Sequence, residues 1–176
     1  MRIVLSIVAC VIVLLMPLAS LSAQENGESA GAEEHEYHKN HSSSFLGATT
    51  HLDPNDTGFT IGVEYARRFS RLVAVAVTVE MASSTLERDV ILGLPVLVYP
   101  WRGLGLTVGP AAELATREEE HGDEVKEVTE VEFLLRFGVG YWFALNETVA
   151  VSPAIFADVA NGRWSLVYGV LFGVGW

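Results

Sequence analysis

Histidines are the first residues in this chain whose spacing could do chemistry. His35, His38 and His41 recur at i, i+3 and i+6, with Glu33, Glu34 and Glu36 beside them. Imidazole and carboxylate together suit zinc, nickel or copper, and a helical turn would bring the three rings to one face. The surrounding stretch holds no cysteine and almost no bulky apolar residue to fix such a turn. The expectation is a solvated linker with weak divalent-metal binding at most, and no cofactor. His51 and His121 are the remaining imidazoles. A serine nucleophile needs a neighbouring base, and no His-x-Ser pair falls on any strand delineated below. No catalytic residue is expected, and His51, between Thr49–Thr50 and Asp53, reads as a polar rim residue. Six charged residues interrupt otherwise apolar runs: Glu64, Glu80, Glu113, Glu132, Arg136 and Asp158. If buried, they must pair or lose their charge. Glu118, Glu119, Glu120, Asp123, Glu124 and Glu127 form an acidic cluster without the D-x-D-x-D-G order of a calcium loop. It reads as a solvated loop, with weak ion bridging to anionic lipid as the alternative.

The elements that must position these residues are bounded by composition. The 176 residues allow one domain with a small appendage. Twenty-two acidic against 11 basic side chains give a formal charge of −11, with no basic stripe, which argues against nucleic acid. One cysteine, Cys10, excludes a disulfide framework. A 10% aromatic content is too high for an acidic disordered chain.

Residues 1–23 have the form of a secretory signal peptide. Arg2 precedes an apolar run from Ile3 to Leu15, and Pro17 and small residues lead to a cleavage position after Ala23. A retained anchor is the alternative; the stretch before Cys10 is short for a lipoprotein signal. Residues 24–43 are then a flexible His/Glu-rich lead, and 44–176 the folded part.

From residue 44 onward the period is two. Trp164, Leu166, Tyr168, Val170, Phe172, Val174 and Trp176 alternate with mostly small residues, which is a strand pattern. Phe59 to Tyr65, Val73 to Met81, Leu104 to Pro110, Val131 to Tyr141 and Val149 to Ala157 behave likewise. Two weaker runs bring the strands to eight: 44–52, 59–67, 72–82, 89–100, 104–115, 128–142, 148–159 and 164–176. The run 89–101 is apolar on both faces, so its parity stays open. Polar or acidic connections alternate with short ones, and Asn161-Gly162 is a favoured hairpin pair.

The charges inside these strands share a face with glycine and alanine, which suits the inside of a narrow barrel better than a solvated surface. Strand lengths match a bilayer. Trp101, Trp142, Trp164 and Trp176 fall at strand ends, as an aromatic girdle requires, with Tyr99, Tyr141 and Phe143 near three of them. The fold class expected is all-β, an eight-stranded antiparallel up-and-down transmembrane barrel. The short turns, both termini and Arg67, Arg68, Arg71 and Arg102 would then be periplasmic, and the acidic loop outside.

The chain from 44 to 176 resembles the small outer-membrane barrels of Gram-negative bacteria, of the outer membrane protein A and outer membrane protein X type. The ending YGVLFGVGW carries the most specific likeness: alternating apolar residues and a terminal aromatic, Trp176, resemble the signal read by the barrel-assembly machinery. Phenylalanine is commoner there. The resemblance implies a monomer in the outer membrane, in contact with lipid and lipopolysaccharide. It implies a non-enzymatic structural or surface role; a lipid-modifying enzyme and a small transporter or metal sensor are the alternatives, since fold does not deliver function. The facing assignment has a direct test. Val170→Arg places a charge on the outward face near mid-strand and should cost about 2–4 kcal/mol in a bilayer-folding titration.

Overall fold

Strands that alternate large and small residues satisfy every backbone amide by pairing on both sides, and a set of them does so completely only by closing. The computed structural model describes residues 38–175, apart from 54, 85, 86, 122 and 123, and shows that closure. The leader 1–23, His35 and Trp176 lie outside the described residues.

Eight antiparallel strands follow one another: β1 (Asn40–Leu52), β2 (Asn55–Arg68), β3 (Val73–Ser83), β4 (Glu87–Gly93, resuming as Val96–Trp101), β5 (Leu104–His121), β6 (Glu124–Tyr141, resuming as Phe143–Ala144), β7 (Val149–Ala160) and β8 (Arg163–Gly175). Each pairs with its sequence neighbours. β8 returns to β1 in an unbroken register from His41↔Gly175 to His51↔Ser165. The architecture is the expected closed up-and-down barrel. The start of β1 and the end of β8 share one end of it, the near end; the hairpins at 53–54 and 161–162 mark the far end.

Faces follow parity. Phe133 is 80% exposed and Val131 63%, while Arg136 and Asp158 are each 4% exposed. Bulky apolar side chains point out and charges point in, the reverse of a water-soluble sheet protein. The open parity of 89–101 is settled: Asp89, Ile91, Pro95 and Leu97 are buried, and Leu92, Leu94 and Val96 are exposed. Register against β3 and β5 is the same on both sides of Leu94-Pro95. Proline lacks the amide proton, but its carbonyl still accepts from Ala76, and Leu94 still donates to Pro110. β4 can be bulky inside because its neighbours are small there. Leu97 packs on Ala66, Ala74 and Ala76, and Ile91 on Ala111, Leu134 and Ala160.

Several strand bounds differ from the sequence reading. β1 starts at Asn40, so His41 belongs to a strand, not to a lead ending at 43. β2 starts at Asn55, which shrinks the expected 53–58 loop to a two-residue turn. β5 and β6 run on to His121 and from Glu124, pairing Glu118↔Glu127 and Glu119↔Lys126. The acidic stretch is therefore ladder backbone, not a long loop. Val125, Val128, Thr129 and Val131 give this stretch strand-favouring β-branched residues that its charge density conceals. Asn161 and Gly162, at φ 50° and 80°, make the tight turn their types favour.

The seam depends on a glycine pair. Gly47 and Gly169 are direct partners, and the Phe45 ring covers both. A Cβ on Gly47 would lie 2.7 Å from Phe45 Cζ and 2.9 Å from the Gly169 Cα. Only residues without side chains let that ring lie flat against the closing strands.

Candidate functional site in the barrel lumen

Small lumen residues leave room for a few long polar ones, and these sort into three layers. The middle layer is built on Arg136 of β6. Its Nε and one terminal nitrogen each reach a carboxylate oxygen of Asp158 at 2.7 Å. Arg136 and Asp158 are direct cross-strand partners, so their fork-to-fork pairing follows from register. The other terminal nitrogen crosses the lumen to Glu80 Oε1 on β3. The guanidinium also lies 5.2 Å from the Phe156 ring centroid, on its apolar side. Glu64 of β2 is nearby, with a 3.5 Å contact from Ser43.

The far layer contains groups that the sequence did not single out. Arg163, at the first residue of β8, donates to both oxygens of Glu132, at 2.5 and 2.6 Å. Glu113 stands opposite Glu132 in the ladder, half-buried. His51 is half-buried too. Its Nδ1 is 3.0 Å from Ser165 Oγ, and its Nε2 is 3.6 Å from the buried Asp89 carboxylate. Below this, the buried hydroxyls of Thr49 and Thr60 meet at 2.6 Å. A serine, an imidazole and a carboxylate in that order make a proton relay of the kind that activates a nucleophile. With the ring proton on Nε2, facing Asp89, Nδ1 can accept from Ser165. Sequence reasoning sought His and Ser on one strand. The closing register His51↔Ser165 brings them together from opposite ends of the chain.

The near layer is aromatic. Trp142, expected in the outward girdle, turns inward and meets His41 edge-on at 4.7 Å between centroids. It packs on the cluster of Phe45, Ala154, Phe156, Val167 and Leu171. Its even number follows Glu132, Arg136 and Gly140 on the inner face of β6, so parity overrides the interfacial preference of tryptophan. Tyr99 also points inward, under the Arg68 guanidinium at 4.1 Å from the ring centroid. Outside, Trp101 and Trp164 are exposed at opposite ends, and Tyr141 meets Phe143 in a tilted ring contact at 4.8 Å between centroids. Of the three candidate metal ligands, His38 is bonded through Nε2 to the Glu147 carbonyl at 2.7 Å, and His41 lies under Trp142. β1 holds His41 in an extended chain, so no helical face forms there. Among the described residues no three His, Cys, Asp or Glu side chains are grouped to hold a metal.

The fold is matched by solved structures. The N-terminal β-barrel domain of Pseudomonas aeruginosa OprF is similar at a TM-score of 0.54 and 13% identity, over 78% of this chain and 99% of that one. Neisserial surface protein A (NspA) gives 0.52 and 12%, over 78% and 96%. OprG of Pseudomonas aeruginosa gives 0.52 and 12%, over 82% and 100%. The chain has the fold of the small eight-stranded outer-membrane barrels. No protein-family model matches the sequence, and no curated protein does. At such identities the likeness to small outer-membrane barrels covers the fold alone.

The middle layer generates a double test. Arg136→Met leaves the Glu80 and Asp158 carboxylates buried and unpaired, and should cost about 3–5 kcal/mol in urea unfolding from detergent. Adding Glu80→Gln and Asp158→Asn to that variant should recover most of the loss. A single variant as stable as the parent would show that these charges are not held as described.

Proposed function

We propose that this protein is a monomeric, non-enzymatic barrel of the Gram-negative outer membrane, with a structural or surface-interaction role in the envelope. The observation that carries this reading is the combination of an apolar outer face with a lumen closed by its own side chains. Lipid meets the exposed rows typified by Phe133, Val131 and Phe172. The inward Arg136, Phe156, Phe45 and Trp142 leave no room for a water-filled channel. The barrel-assembly machinery inserts it, and the near end with both termini faces the periplasm.

The β5–β6 hairpin is the element that reaches a partner. Each of its strands has 18 residues, against about 9–11 needed to cross the apolar core. The surplus projects beyond the far end and bears the acidic stretch. Lipopolysaccharide, bridged through divalent ions, is its natural neighbour.

Two measurements test this reading. An epitope inserted at 122–123 should be reached by antibody on intact cells, and one at 102–103 only after the outer membrane is opened. The purified protein should give no steady conductance in planar bilayers. A stable channel, or a surface-exposed 102–103 site, would refute it.

One observation favours a second reading, a hydrolase of carboxylic esters at the far rim: the order Ser165, His51, Asp89. A fluorophosphonate reagent separates the two. Modification of Ser165 in the folded barrel, lost in His51→Ala, would support catalysis; an unmodified Ser165 leaves the relay a structural link between β8, β1 and β4.

A further inference from the structure

The two ends of the barrel carry opposite charge. The near end holds five cations, Lys39, Arg67, Arg68, Arg71 and Arg102, against one carboxylate among the described residues, Glu147. The far end is acidic. The near end also exposes apolar side chains at its turns: Phe69 is 70% exposed, Leu72 55% and Trp101 76%. Turns that face water are built mostly from Gly, Pro, Asn, Asp and Ser.

Local structure does not require these apolar residues. In the β2–β3 turn the Phe69 and Ser70 amides donate to the Val73 carbonyl, and the Leu72 and Val73 amides donate to Ser70 Oγ. The backbone and one serine therefore close the turn, and the Phe69 and Leu72 side chains take no part. Between Val98 and Trp101, β4 has one residue more than β5 opposite it. That bulge turns Trp101 outward, where strict alternation after Leu97 and Tyr99 would send it into the lumen. The two turns are neighbours, since the Tyr99 amide donates to the Leu72 carbonyl at 2.8 Å and Arg68 lies over the Tyr99 ring. Phe69, Leu72 and Trp101 thus share one rim with the exposed Arg71 and Arg102.

We propose that this rim is a binding surface for anionic phospholipid headgroups, selective for phosphatidylglycerol over zwitterionic lipid. Phe69, Leu72 and Trp101 seat at the boundary between acyl chains and headgroups, and Arg71 and Arg102 extend past them to the phosphates. Guanidinium pairs with phosphate through two N–H groups, so arginine suits this partner better than a diffuse charge would. The acidic lead ahead of β1 offers five glutamates to the same cations, but it has almost no bulky apolar residue to cover the three exposed ones. A zwitterionic lipid covers them and brings no net charge to the arginines. Anionic phospholipid does both. The proposal rests on the reading of the outer face as lipid-facing, and gives that face a chemical preference at one end.

The test is tryptophan fluorescence of the purified protein refolded into phosphatidylcholine bilayers, quenched on contact by brominated acyl chains. The parent carries Trp164→Phe, so that Trp101 is the outward tryptophan among the described residues. Brominated phosphatidylglycerol is compared with brominated phosphatidylcholine at the same low mole fraction. Both leaflets then have one composition, so the orientation of the barrel does not matter. Quenching should report roughly a fivefold preference for phosphatidylglycerol beside Trp101, shrinking in high salt. Arg71→Gln combined with Arg102→Gln should bring the preference near unity while phosphatidylcholine still quenches, and a heat-modifiable gel band checks that this variant is folded. Arg88→Gln, at the far end, should leave the preference intact. Equal quenching by the two lipids in the parent, as the acidic lead lying over the arginines would give, would overturn the proposal. So would a preference unchanged in the double variant. Quenching by neither lipid would overturn the membrane reading itself, and the proposal with it.

Discussion

The structure depends on one constraint: no strand may end with an unpaired edge. β1 and β8 meet that constraint through a seam running from His41↔Gly175 to His51↔Ser165. Closing eight strands fixes a narrow radius, and a narrow radius leaves space inside for side chains but not for a pore. The remaining features follow from it. Glycine and alanine dominate the inner face, Gly47 and Gly169 flatten the seam under Phe45, and bulky β4 residues fill what the small ones leave. An interior so small also makes each buried charge expensive, so Arg136 is engaged on three sides.

That economy gives the lumen its layered form. An aromatic layer of Trp142 and His41 blocks the near end, a guanidinium ties β3 to β6 and β7 in the middle, and Arg163 with His51 joins strands at the far end. The layers cross the barrel where the backbone ladder only runs around it. They resist flattening of the cylinder in a way the hydrogen-bonded wall cannot. A structural or surface role needs this rigidity and asks for no path through the middle. The long β5–β6 hairpin extends from a base held by the layers beneath it.

Much of the fold was legible because period two is a direct imprint of a wall with different media on its two sides. The run from Trp164 to Val174 shows it, as does the inward set Glu64, Glu80, Glu132, Arg136 and Asp158. Parity gives the face but not the height, and that limit explains what was missed. Which carboxylate meets Arg136 depends on strand stagger, so Glu80 could not be paired with it in advance. His51 and Ser165 lie 114 residues apart and meet only through closure. Arg163 was hidden beside a turn, although it is the second guanidinium the far carboxylates require. Trp142 was misplaced because a residue preference was allowed to outweigh parity. Dense charge at 117–127 has no period of two, so the continuation of β5 and β6 through it could not be read from the pattern.

The central claim is that the outer face of this barrel is built for lipid. Its most direct test is refolding from denaturant with and without detergent, read by circular dichroism and by gel mobility before and after heating. The account predicts a β spectrum and a heat-modifiable band in detergent, and aggregation in its absence. A folded, dissolved monomer in plain buffer would contradict it, because the exposed rows of Phe133, Val131 and Phe172 would then have to face water.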